Sequence, residues 1–431
     1  MKALAVMLSA LALPAVLLAG GPAGQLEVIN VAPGGACEQA GIQADDILLS
    51  YDGKEVRTQA ELSVLKSAAT TDSVEVRVKR GASLLTLRLP KGPLGVYLAE
   101  ILPDLNFDPD ARIIPGIARL RWGTDRENTF MGALEAVLQK AGVDADYTFL
   151  CGVSGAAFRT HFFDTWCPSS PEPGCGFDAT VPALAACGWA ATSRGVSSDG
   201  KNKPQITQAI AAQIDSGRPV LAIDLIQTPE WGVIAGYQKA GQEFICRTYF
   251  DKRRGYELAQ KYPFVVVFPH PQGSMPDKLA SYRASYRIAL ENLVTEKYGE
   301  YYSGLAAFDR WLKRLQGDDF TKLDSAGLSK VVEANYWILA RISYDRKTAQ
   351  DYLARVTQAM PPDKPLLDSL SGIYARETEL VNAAFPELPC PGTVVKPEQW
   401  TAEMKAKEVA VLTQARALEA QALEVWRKLA R

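Results

Sequence analysis

The sequence predicts a multi-domain α+β protein, built from a small β-rich barrel, an α+β domain and an α-helical bundle in that order. Three observations predict it. Residues 24–100 alternate apolar and polar side chains in short runs separated by turns. Residues 112–270 place a helix ahead of a series of strands, and from Asp277 onward apolar residues recur every three or four positions. A chain of 431 residues is too long for one hydrophobic core, which agrees with several domains.

The first residues, "MKALAVMLSALALPAVLLAGGPAG", carry one positive charge at Lys2, an apolar run to Ala19 and then small residues. This is the pattern of an export signal over 1–23, and it places the protein in the periplasm or outside the cell. Pro14 interrupts the run, and an uncleaved anchor is the alternative; it is the sole membrane attachment expected. With 47 basic and 49 acidic residues and no block of like charge, there is no electrostatic footprint for nucleic acid. The two histidines form no ligand-like pair and the cysteines are not closely spaced, so neither metal nor cofactor is expected. Seven cysteines in an exported chain leave at least one unpaired or paired between chains, and the disulfide expected is Cys167 to Cys175 across "CPSSPEPGC".

In residues 24–100, Leu26, Val28 and Val31 open a strand and Ile47 to Tyr51 form the next. Val74, Val76, Val78 and then Leu85, Leu87, Leu89 give two period-two strands joined at Arg80 and Gly81. "TQAELSVLKSA" between them has the spacing of a short helix. The stretch "VAPGGACEQAGIQADDILLSYDGKEV" resembles a bacterial PDZ domain, with its proline-glycine turn, "A-x-x-A-G-I" helix, acidic "D-x-I" strand and glycine turn. The resemblance implies a module that adds an extended peptide to a sheet edge and holds its C-terminal carboxylate on backbone N–H groups. Leu94, Gly95 and Val96 look like the family's carboxylate loop, in a permuted order, with the following strand folding back beside the first helix. The other reading of "KGPLG" is a domain-ending turn.

In residues 112–270, Asp125 or Asn128 caps a helix whose Met131, Leu134, Leu138 and Ala141 share one face, and Gly142 ends it. "GRPVLAIDLI", "WGVIAGYQKAGQEFICRTYFD" and "FVVVF" read as consecutive strands. The order resembles a papain-like cysteine peptidase fold, nearest the bacteriocin-processing peptidases and the N-terminal domain of the butirosin-biosynthesis acyltransferase. The resemblance implies a cysteine opening the helix, a histidine opening the "G-Y" strand and an acid or amide on the next strand. Here those positions fall on Thr129, Glu230 and Asp251. A threonine offers no thiolate and an ordinary glutamate is a poor base for a hydroxyl, so the family's chemistry is expected to be absent.

"FLCGVSGAAFRTHFFDTWC", residues 149–167, holds the remaining nucleophiles. Cys151 with His161 is the displaced pair that would make the protein a thiol acyltransferase or peptidase. Ser154 in "GVSGA" matches a nucleophile elbow only in part. The bland reading makes Gly152 and Gly155 close-packing positions, Phe158 and Phe162 core, and Cys151 a small hydrophobe. Trp122, Phe130, Trp166, Trp189 and Trp231 read as core; should a cavity remain there, Glu230 and Asp251 would favour a cationic small-molecule ligand. His270 reads as a linker residue.

In residues 275–431, Leu305, Phe308, Leu312 and Leu315 share a helix face, as do Leu328, Val332, Asn335 and Leu339, and then Leu367, Leu370, Tyr374 and Val381. After the proline-rich "AFPELPCPGTVVKPEQW", a long amphipathic helix with Val411, Ala415, Leu418, Ala422, Val425 and Leu429 ends the segment; it packs on its own bundle or forms a dimer seam. The expectation is an exported binding or scaffolding protein that recognises a peptide or protein C-terminus, a small ligand, or both.

Overall fold

The computed structural model describes residues 24–32 and 34–431, so the expected signal over 1–23 lies outside the described residues. Among the described residues the fold is mixed α+β, and no helix is long and apolar enough to cross a membrane. Contacts gather the chain into two compact units. One takes in the described residues up to 141 and 192–268; the other takes in 142–191 and 269–431. The stretch around Cys151 and His161 therefore folds with the C-terminal helices, a grouping that reading along the chain does not anticipate.

The first unit begins with β1 (Gln25–Val31), α1 (Ala36–Gln39), β2 (Ile47–Tyr51), β3 (Lys54–Glu55), α2 (Gln59–Ala68), β4 (Ser73–Arg80), β5 (Ser83–Pro90) and β6 (Val96–Ile101). They form a sheet in the order β5-β4-β2-β1-β6, with β3 on β2. Val74, Val76 and Val78 alternate inward along β4 as their period-two spacing dictates, over a core that includes Leu26, Leu48, Tyr51 and Leu62. Thr58 starts α2 through a capping box: its side chain accepts from the Glu61 N–H, and the Glu61 carboxylate accepts from the Thr58 N–H.

β7 (Arg112–Ile113) and α3 (Thr129–Lys140) follow, α3 capped by Asn128 rather than Asp125. The chain then passes through α4 (Tyr147–Val153), β8 (His161–Phe163), α5 (Thr180–Ala185) and β9 (Trp189–Gly195), and returns with α6 (Lys203–Asp215), β10 (Val220–Ile223), β11 (Trp231–Gln238), β12 (Glu243–Arg247), β13 (Glu257–Leu258) and β14 (Val265–Pro271). The second sheet runs β13-β12-β11-β10-β14-β9, with β7 on β11 and α3 packed on β10 and β11. Gly236 must be glycine: a Cβ there would lie 2.2 Å from the Arg112 carbonyl oxygen where β7 meets β11. His270, expected in a linker, lies in β14.

Ion pairs join the β1 sheet to the rest of its unit. Glu27 is wholly buried, and its carboxylate receives Arg119 at 2.8 Å and Arg254 at 2.8 Å. Arg121 pairs with Asp45 at 2.6 Å, and Asn30 donates to the Gly123 carbonyl at 2.6 Å. A buried carboxylate is tolerated only when so paired.

The second unit continues with α7 (Lys278–Val294), β15 (Lys297–Tyr298), β16 (Tyr301–Ser303), α8 (Gly304–Gly317), α9 (Ser325–Ala359), α10 (Lys364–Ala384) and α11 (Ala402–Leu429). α11 packs on α7, α8 and α10, so its apolar stripe is used within its own unit. α4 lies against α7 and α9, and β8 adds to β16 in a small sheet. The rings of Tyr352, Tyr374 and Trp426 surround Phe158 at centroid distances of 5.9, 5.8 and 5.0 Å. Arg346, fully buried on α9, donates to Glu419 at 2.7 Å, Glu377 at 3.1 Å and the Ala157 carbonyl at 3.0 Å, which ties the segment after α4 to the helices.

Candidate functional site

The loop ahead of β6 is built from two glycines in contact. Gly95 has φ of +68°, and a Cβ there would come within 2.9 Å of the Gly35 Cα, so the close approach to the turn before α1 requires glycine. The Ala32 N–H donates to the Gly95 carbonyl at 2.7 Å and the Cys37 N–H to the Leu94 carbonyl at 3.0 Å. Both carbonyls thus face β1 and α1. Because a trans peptide sets N–H opposite C=O, the N–H groups of Gly95 and Val96 turn to the other side. Two adjacent amides turned to the same side are the element from which backbone anion sites are built.

β6 continues from this loop at the end of its sheet, paired with β1 alone among the described residues. The helix beside its other edge is the second, α2, and not the first. Gln59 at the start of α2 donates through Nε2 to the Leu98 carbonyl at 2.6 Å, and its N–H donates to the Glu100 carboxylate at 3.1 Å. These bonds close the far end of a groove of about 410 Å³ lined by Leu62, Ser63, Lys66, Lys91, Gly92 and Leu98, among others. Leu94 and Gly95 directly precede β6 and Val96 opens it, at the end of the strand away from the Gln59 bonds. Sequence reading does not single out Gln59, Lys66 or Lys91; the helical spacing of "TQAELSVLKSA" is the signal that could have placed two of them on one face.

Of Thr129, Glu230 and Asp251, the three positions singled out in the sequence, the structure brings the first two together. Thr129 opens α3, and its Oγ1 donates to the Glu230 carboxylate at 2.7 Å while accepting from the Trp231 N–H at 3.3 Å. Trp231 packs edge-on against Phe130, with centroids 4.9 Å apart. Glu230 so finds an internal donor. Asp251 makes its hydrogen bonds within its own turn: it accepts from the Thr248 N–H at 2.8 Å, the Thr248 hydroxyl at 2.9 Å and Arg247 at 3.2 Å. Burial pushes its carboxyl up to about 6, against the opposing pull of Arg247.

In the second unit Cys151 is 1% exposed, on α4. A Cβ at Gly152 would lie 2.0 Å from the Tyr352 ring and one at Gly155 would lie 2.5 Å from Ile288, so the glycines of "CGVSG" serve packing. Ser154, wholly buried, donates to the Cys151 carbonyl at 3.3 Å. His161 is 2% exposed, and burial, reinforced by the Arg159 charge, holds its imidazole well below its usual range and so neutral. Cys167 and Cys175 are free thiols, against the disulfide expected between them. The loop is drawn in by Arg159 instead. Its guanidinium donates to the carbonyls of Pro171 at 2.9 Å, Pro173 at 3.1 Å, Cys175 at 3.1 Å and Phe177 at 2.8 Å, and to that of Glu172. A loop rich in proline has few N–H groups of its own to satisfy its carbonyls, and one buried arginine supplies five donors.

A PDZ-domain family profile matches residues 27–80, from within β1 to the end of β4. Residues 27–80 form a PDZ domain, and a PDZ domain is a peptide- or protein-binding module. No curated protein matches the chain.

Proposed function

We propose that the protein binds the free C-terminus of a peptide or partner protein, which lies as an added strand along β6 with its carboxylate on the N–H groups of Gly95 and Val96. One observation carries this reading: Cys37 and Ala32 consume the carbonyls of Leu94 and Gly95, which turns the next two amides outward at the head of an unpaired edge. Titration of the full-length protein with a fluorescent peptide tests it. A free-acid peptide binds, and the same peptide ending in an amide binds at least about tenfold more weakly, since a charge-assisted hydrogen bond contributes roughly 1.5–3 kcal/mol. Equal binding of the two forms overturns the reading.

The rest of the chain is, in this reading, an exported scaffold. Residues 112–270 are taken as a papain-like arrangement without its chemistry; the Thr129–Glu230 contact at the helix start supports this, because a hydroxyl and a carboxylate stand where that fold would set a thiol beside an imidazole. Recovery of the tagged chain outside the cytoplasm, lacking residues 1–23, is the expected result of cell fractionation. Retention in the cytoplasm sinks the export reading.

A further inference from the structure

We propose that the groove selects C-termini whose last residue is acidic. The inference rests on the peptide-binding reading above and names its specificity. At the loop end the groove is lined by Lys66, Lys91, Ser63 and Ser67, with apolar surface from Leu62 and Leu98 and no acidic side chain. Two placements set the lysines there. Lys66 stands on the last turn of α2, at the end of the helix away from Gln59. The Lys91 N–H donates to the Asp72 carbonyl at 2.9 Å, just beyond α2. Neither lysine has an ion-pair partner among the described residues.

Charge decides what fits. The α-carboxylate of a peptide brings one negative charge, already met by two amides and one ammonium. The second ammonium and the two hydroxyls remain, and a side-chain carboxylate satisfies them. An apolar last residue would desolvate that ammonium with nothing in return. The partner is therefore a protein or peptide whose chain ends in Glu or Asp.

The test uses the full-length chain and fluorescence anisotropy with short peptides of randomised sequence and one fixed last residue. The pool ending in free-acid Glu is expected to bind about three- to tenfold more tightly than the pool ending in Val. The difference shrinks in high salt and disappears in the double variant Lys66→Met, Lys91→Met, which keeps the aliphatic stems. A Val pool that binds as tightly as the Glu pool, or a preference that survives the double variant, overturns the proposal and leaves the peptide reading standing. A Glu pool that binds no better than its own C-terminal amide removes the peptide reading itself, and the proposal with it. Should a thermal melt show the variant unfolded, the comparison of Glu with Val at low and high salt decides alone.

Discussion

The Thr129 hydroxyl donates to the Glu230 carboxylate at 2.7 Å, across 101 positions of sequence, and holds the start of α3 against the start of β11. Thr129 is 3% exposed, so a valine in its place removes two buried hydrogen bonds, one to the Glu230 carboxylate and one from the Trp231 N–H. Thr129→Val is expected to cost about 1–2 kcal/mol and Thr129→Ser less, read from urea unfolding. The double variant Thr129→Cys, Glu230→His sets a thiol beside an imidazole. Its cysteine should alkylate about tenfold faster at pH 6 than that of Thr129→Cys alone. Equal rates count against a papain-like arrangement.

The native cysteines divide by access and by burial of charge. Cys37 is pushed up to about 11, Cys187 to about 12 and Cys246 well above the usual thiol range, each chiefly by burial, and Cys151 is enclosed on α4. Cys167, Cys175 and Cys390 are partly exposed. In the folded, reduced protein at pH 8, iodoacetamide should mark the last three first, as mass spectrometry of digests will register. Fast labelling of Cys151 ahead of them would revive the enzyme reading.

Arg159 is expected to matter more than either loop cysteine. Arg159→Met strips the donors from five carbonyls of the loop and should cost about 3 kcal/mol or more. Hydrogen exchange across 171–179 should accelerate beyond that of the rest of the unit. Unchanged exchange there would mean the loop holds itself.

Glu408 makes stability depend on pH. Burial pushes its carboxyl up to about 8 in the folded protein, while Asn335 donates to it. The folded state keeps a proton that the unfolded chain releases from about pH 4.5, so this residue lowers stability by roughly 1.4 kcal/mol per pH unit between those values. Glu408→Gln accepts the same hydrogen bond without the proton. Its advantage over the wild type should be small at pH 5 and larger by a few kcal/mol at pH 8. A gap of the same size at both pH values would show Glu408 ionised in the fold.

Local pattern alone determined a good deal of this protein. The alternation of Val74, Val76 and Val78, the Thr58 and Glu61 box, and the helical spacing of residues 305–315 and 328–339 are short-range properties, and the elements they specify are present. So is the PDZ domain, whose turn residues are contiguous in the chain. The loop and groove were half legible: Leu94, Gly95 and Val96 stand out by type, but only the pairing of β6 with β1 reveals an open edge, and only the packing of α2 beside β6 puts Lys66 and Lys91 in one groove. Tertiary structure likewise decided that Cys151 is enclosed, that Arg159 closes the loop expected to carry a disulfide, and that residues 142–191 fold with helices beyond 269. The reason is physical. Periodicity records which way a side chain faces within its own element, whereas burial, pairing and charge contact depend on residues a hundred or more positions away that no local pattern encodes.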